Sequence, residues 1–245
     1  MDLDKPKLMP ALLVWLLGMT GVLSLAITTV PGLLEGQDLP LPIPALIAIS
    51  VLQSGALLAL AVFSGVTLGP RLGLGSIIAR SFPLLRGPGS VFAAGTLGGV
   101  AGAGVLIGAA NFSPHELVEL QAHAPEIPIA TRVLYGGITE EILIRFGLMS
   151  LLAWLAWKSM GHFGFEGRNT PIVIAIVASA LAFAAGHLPA IVAFGGVLTV
   201  PVVAYVLLWN GLFGLIAGVL YWKANLEAAI FAHALAHIGA YAVLG

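Results

Sequence analysis

Long apolar runs constrain this chain more than any other feature. A helix needs roughly 20 mostly apolar residues to cross the hydrocarbon core of a bilayer. Runs of that kind lie at about 8–30, 43–68, 89–110, 127–157, 170–187, 201–222 and 226–244. Charge is correspondingly scarce. Only 9% of the residues are charged, where a soluble domain carries about 25%. Too few charges remain to coat a globule with solvated surface, which excludes a soluble enzyme and a disordered tail protein. The net charge of −1 offers nothing to DNA or RNA. There is no cysteine, so disulfides, thiolate nucleophiles and Cys-ligated metals are excluded as well. The expected fold is all-α: a polytopic transmembrane helical bundle, one integral membrane domain over residues 1–245.

Seven spans follow from the runs. The first is too long for a cleavable signal peptide, and no small-residue cleavage site precedes a soluble domain. The apolar stretch 188–199 contains Pro189 and Gly195-Gly196 and is short for a crossing. It reads as a re-entrant or interfacial piece, and an eighth span exists only if it crosses. Lys5, Lys7, Arg71, Arg80, Arg86, Lys158, Arg168 and Lys223 fall in loops on one side of a seven-span bundle. The opposite loops carry Glu35, Asp38, Glu116, Glu119 and Glu126 and no basic residue. The positive-inside rule then puts the N-terminus in the cytoplasm and the C-terminus outside. Residues 71–85 read equally as an amphipathic segment lying on the cytoplasmic surface or as an ordinary inner loop. In span three, Gly95 and Gly99, and Gly98 and Gly102, recur at four-residue spacing, a pattern that lets helices approach closely. In a chain of many spans this reads as internal packing.

The informative charges are those inside a span. Arg132 is near the outer end of span four and can snorkel to water. Glu140, Glu141 and Arg145 lie deeper, where each charge costs several kcal/mol. Glu141 and Arg145 are four apart, share a helix face and can pair. Glu140 points about 100° away and is left over. A carboxylate in that position suits a general base. Three histidines also fall in apolar helices. His187 follows Phe183 by four, and His233 and His237 are four apart on the last span. A lone buried histidine is usually a satisfied core residue, but three on two helices beside an unpaired carboxylate point to a shared polar site. His115, His123 and His162 read as solvated loop residues, and Glu227, beside Lys223, as a solvated rim.

These residues resemble the CAAX protease and bacteriocin-processing family of intramembrane proteases, which includes the type II CAAX prenyl endopeptidases. The EExxxR motif matches Glu140, Glu141 and Arg145. FxxxH matches Phe183 and His187. The closing HxxxN or HxxxD matches His233, with His237 in place of the amide or acid. The resemblance covers about 132–245; residues 127–245 form the motif-bearing core, and the spans in 1–126 carry nothing diagnostic.

The resemblance implies an endopeptidase whose Glu140 activates a water, with His187 and His233 orienting it or stabilising the oxyanion. Glu141 and Arg145 would hold span four. The partners implied are a peptide or protein substrate and the bilayer, with no nucleic acid. No cofactor is the preferred reading. Zinc is the open alternative, because Glu140, His187, His233 and His237 are all competent ligands. A proton-coupled transporter using the same Glu/His cluster is the competing function, and a non-catalytic membrane partner is the third.

Overall fold

The computed structural model describes residues 8–81, 88–165 and 167–245. Lys5, Lys7, Arg86 and the side chain of His123 lie outside the described residues. All described regular elements are helical: α1 (Leu8–Thr28), α2 (Ile43–Leu68), α3 (Pro88–Asn111), the short α4 (His115–His123), α5 (129–162), α6 (Asn169–Gly186), α7 (Val200–Lys223) and α8 (Leu226–Leu244). Six of them are long and apolar enough to cross a bilayer. The seventh long rod is α5, the charged span, so the protein is an integral multi-pass membrane protein. The stretch after His187 does not supply an eighth crossing. Leu188–Ala193 is a six-residue helix, about 9 Å long, that ends at Gly195 with φ +88°.

The central element is α5, which packs against α1, α2, α6 and α8. Its backbone changes character along its length. Arg132–Glu140 and Ile142–Met149 are wound as π-helix, and Ser150–His162 as α-helix. The wider π turn is uncommon and is found mostly at functional sites. Here it coincides with the charged segment. The main core lies beside it: Leu58 and Val62 of α2, Ile142, Phe146 and Met149 of α5, Ile172 and Ile176 of α6, and Tyr221 of α7. Apolar residues such as Leu52, Leu60 and Leu97 point outward, as expected where the solvent is lipid.

The glycine stripe of α3 is internal packing. Gly95 and Gly99 face Phe231 and Leu235 of α8, and Gly102 faces Phe213 of α7 and Ala236 of α8. The loop from Arg71 differs from the surface-helix expectation. Its described part, to Ser81, folds under the bundle in tight turns with Leu72, Leu74, Ser76 and Ala79 buried. Gly73 adopts φ +76°, and Arg80 is also left-handed at φ +49°. Glu227 is the reason the loop stays there, which corrects its reading as a solvated rim. Its Oε1 accepts from Ser76 Oγ at 2.5 Å and from the Ile78 N–H at 3.1 Å. Two residues earlier, Asn225 caps α8 by accepting from the Ala228 N–H at 2.9 Å.

Close helix contact sets a limit on substitution. A Cβ at Gly147 of α5 would lie 2.7 Å from Ala61 Cα of α2, a backbone atom that cannot step aside. Gly147→Val is expected to destabilise the bundle by about 1–3 kcal/mol, measured as denaturant unfolding in detergent. An unchanged midpoint would show that α2 and α5 are not in contact.

Candidate active site

The site is built from the middle of α5 outward. Glu141 and Arg145 are both fully buried, with Arg145 Nε 3.2 Å from Glu141 Oε2. The pair expected from their spacing is therefore formed. It is an ion pair without well-aligned hydrogen bonds: among the described residues, Nε, Nη1 and Nη2 of Arg145 find no hydrogen-bond partner. Part of the missing solvation comes from a ring. Arg145 Cζ lies 5.1 Å from the centroid of Phe183, within cation–π range.

Phe183 touches more than the guanidinium. His187 stands edge-on to it at 4.7 Å and His233 at 6.1 Å. It thus connects α5, α6 and α8, which gives the aromatic of the FxxxH pattern a physical task. His187 closes α6, with Nδ1 2.8 Å from the Phe183 carbonyl. A carbonyl oxygen can only accept, so His187 Nδ1 carries the proton and Nε2 is the ring's remaining polar atom.

His233 is buried, and its Nδ1 lies 2.9 Å from Glu141 Oε1. Glu141 therefore does more than pair with Arg145. One oxygen faces the guanidinium and the other holds an imidazole of a different helix. This bond is not legible from spacing, because a spacing rule reports neighbours within one helix only. The carboxylate fixes which nitrogen of His233 is protonated and stabilises the imidazolium if the ring takes a second proton.

His237 stacks on His233, with ring centroids 4.9 Å apart and planes inclined by 20°. Both rings approach α5 at Gly136. A Cβ there would lie 2.7 Å from His237 Nε2 and 3.6 Å from His233 Nε2. Glycine is what admits the two imidazoles to the helix surface. Glu140 is half-buried and makes no hydrogen bond or ion pair among the described residues. It is the unpaired carboxylate that its position one residue before Glu141 leads one to expect.

Glu140, His187, His233 and His237 all line one cavity of about 620 Å³. Its walls are mostly apolar, from Leu25, Leu33, Leu106, Ile144 and Phe213 among others. Arg132, Tyr135 and Asn210 also line it, and of these the sequence had singled out only Arg132, as a snorkelling residue. Arg132 Nε donates to the Ile127 carbonyl at 2.9 Å. The lining residues belong to the ends of α1, α3 and α6, to the starts of α5 and α7 and to the middle of α8. The cavity therefore lies toward the end that carries Glu35 and Glu116, away from Arg71, Lys158 and Lys223. At its mouth Thr131 of α5 is tied to α1, its Oγ1 2.8 Å from Ser24 Oγ and 2.9 Å from Thr28 Oγ1.

The donor set was tested for zinc. Among the described residues, no three His, Asp or Glu side chains converge closely enough to hold a metal ion. The Nδ1 atoms of His187 and His233 are engaged, which leaves Nε2 of each ring free. The four candidate ligands share a cavity but do not form a coordination shell.

Residues 124–239 match the family model described as type II CAAX prenyl endopeptidase Rce1-like. That segment contains all three motifs and every charged and imidazole side chain of the site, and the match agrees with the resemblance carried by the motifs. It supports a CAAX-protease-like membrane peptidase and gives no support to a transporter. No curated protein and no solved structure matched the chain.

The buried pair yields a direct test. Removing one partner leaves an uncompensated charge, so Arg145→Met is expected to cost about 3–5 kcal/mol of stability. Adding Glu141→Gln should restore much of that loss, read by unfolding of the purified proteins in detergent. Strictly additive losses would show that the two side chains are not coupled.

Proposed function

We propose that this chain, whose residues 124–239 match a CAAX-endopeptidase family, hydrolyses peptide bonds within the membrane through a water activated by Glu140. The observation that carries the reading is the cavity. Among the described residues, a carboxylate with no hydrogen-bond or ion-pair partner and three imidazoles line it together, in mostly apolar surroundings. Hydrolysis there needs a base, a polarising group and a proton donor for the leaving amine.

The hydrogen bonds suggest how the work is divided. Glu140 takes a proton from the water as its oxygen attacks the peptide carbonyl. Neutral His187, protonated on Nδ1, offers the Nε2 lone pair to the same water and orients it. His233 is the group best suited to hold positive charge, because Glu141 accepts from its Nδ1. As imidazolium it donates from Nε2 to the developing oxyanion, or hands that proton to the departing amine. The proton on Glu140 remains available for the other of these two steps. His237, stacked on His233, supports it from the position where the family motif has an amide or acid. Glu141, Arg145 and Phe183 hold the three helices that carry these residues, α5, α6 and α8, against one another.

We infer a metal-free reaction, because among the described residues no three donor side chains stand close enough together to hold a metal ion. The expected result is purified enzyme whose turnover survives chelation; stoichiometric zinc whose removal abolishes turnover would overturn this. The substrate we propose is a membrane-associated peptide or protein. Mass spectrometry of peptides released from membranes holding wild-type protein or Glu140→Gln tests the reaction. Release is expected from the wild type only, with the variant folded and inserted. Cleavage that persists in Glu140→Gln would reject the assignment.

We also propose that the N-terminus is cytoplasmic and the C-terminus outside, so that the cavity is nearer the outer face. The sidedness rests on the basic loops. The chain has no cysteine, so single introduced thiols report cleanly. On intact cells, an impermeant maleimide should label His115→Cys and spare His162→Cys. The reverse pattern would invert the topology.

A further inference from the structure

A second cavity lies far from the site, where α5 ends and α6 begins. Its walls are Trp157, Lys158, His162, Phe165 and Arg168, with Gly161 and Gly164 between them, and its volume is about 620 Å³. Three of these side chains carry or can carry positive charge. Lys158 and His162 are four apart and share a face of α5. Arg168 is brought back beside them by a tight turn. Gly164 takes φ +79° there, and the Phe165 N–H donates to the Met160 carbonyl at 3.0 Å. This glycine-closed helix end fixes the frame of the pocket. Among the described residues no carboxylate lines it. Glu166 lies outside the described residues.

The depth of the pocket suggests what fills it. Lys158 is 13 positions beyond Arg145, about 20 Å along the helix axis. Arg145 lies near the middle of the rod. Half the thickness of a bilayer with its headgroups is also about 20–22 Å. The pocket thus stands at headgroup level. Its aromatic residues, Trp157 and Phe165, are of the kind found at a membrane interface, and outside the pocket Lys158 Nζ lies 5.7 Å from the Trp154 ring. Basic side chains that line one hollow repel each other, and the anion abundant at this depth is lipid phosphate.

We propose that Lys158, His162 and Arg168 form a site for the phosphate of an anionic phospholipid headgroup, with Trp157 and Phe165 against its glycerol and upper acyl region. The site is independent of the proteolytic reading and would hold α5 and α6 in register at the membrane surface.

Lipid titration of the full chain in neutral detergent, followed by thermal unfolding, tests it. Phosphatidylglycerol is expected to raise the unfolding midpoint, and phosphatidylcholine or inorganic phosphate at equal concentration to leave it unchanged. Lys158→Gln/Arg168→Gln should weaken the apparent lipid affinity roughly 25-fold, at about fivefold per basic residue. Arg71→Gln/Arg80→Gln removes two charges from the same end and should leave the affinity intact. Equal loss in both double variants would mean diffuse surface charge and would overturn the pocket. An equal response to inorganic phosphate would overturn the lipid assignment. If Lys158→Gln/Arg168→Gln does not fold, the Lys158→Gln variant alone decides, with a loss of about fivefold expected and unchanged affinity rejecting the site.

Discussion

Everything else in the functional half of the molecule depends on the buried charge pair of Glu141 and Arg145. Two full charges at mid-membrane cannot borrow water, so protein must supply all of their solvation. Each remaining contact of the pair is therefore also a contact between helices. Phe183 covers the guanidinium from α6, and His233 satisfies the second carboxylate oxygen from α8. The expense of burying the pair is what makes its surroundings specific: a shift of either neighbouring helix exposes an unsatisfied charge.

That rigidity has a consequence for the adjacent residue. Glu140 sits on the same backbone, held in place by its neighbour, yet turned into a cavity where no partner neutralises it. Glu141 holds His233 in a defined tautomer, and the Phe183 carbonyl does the same for His187. Gly136 leaves the opening through which His233 and His237 reach α5. The π-wound stretch coincides with this cluster, so the widened turn and the polar site occupy the same segment of α5.

The two ends of the bundle are built differently. At one end, which carries Arg71, Lys158 and Lys223, Glu227 clamps the turn after α2 against α8. At the other, α1 and α5 are linked by hydroxyls around an open, mostly apolar cavity. The clamp at the first end stabilises, and the cavity at the other admits. A peptidase in a membrane needs both, since its cavity must be reachable without loosening the helices that define it.

Much of this was readable from one sequence, for a definite reason. Apolar runs of membrane length fixed the seven helices, because lipid demands continuous apolar surface and internally bonded backbone. The four-residue spacing of Glu141 and Arg145 fixed their pairing, and left Glu140 unpartnered, because both facts are local to one helix. The glycine stripe of α3 was legible as packing for the same reason. What the sequence could not hold is any relation between helices. The Glu141–His233 bond, the guanidinium over Phe183, the room that Gly136 leaves for His237, and the burial of Glu227 under a folded loop all join residues distant in the chain. The sequence by itself determined the solvent, the spans and the helix that bears the charges. Only the tertiary structure decided which oxygen meets which nitrogen, because side chains on separate helices acquire a distance only when those helices pack.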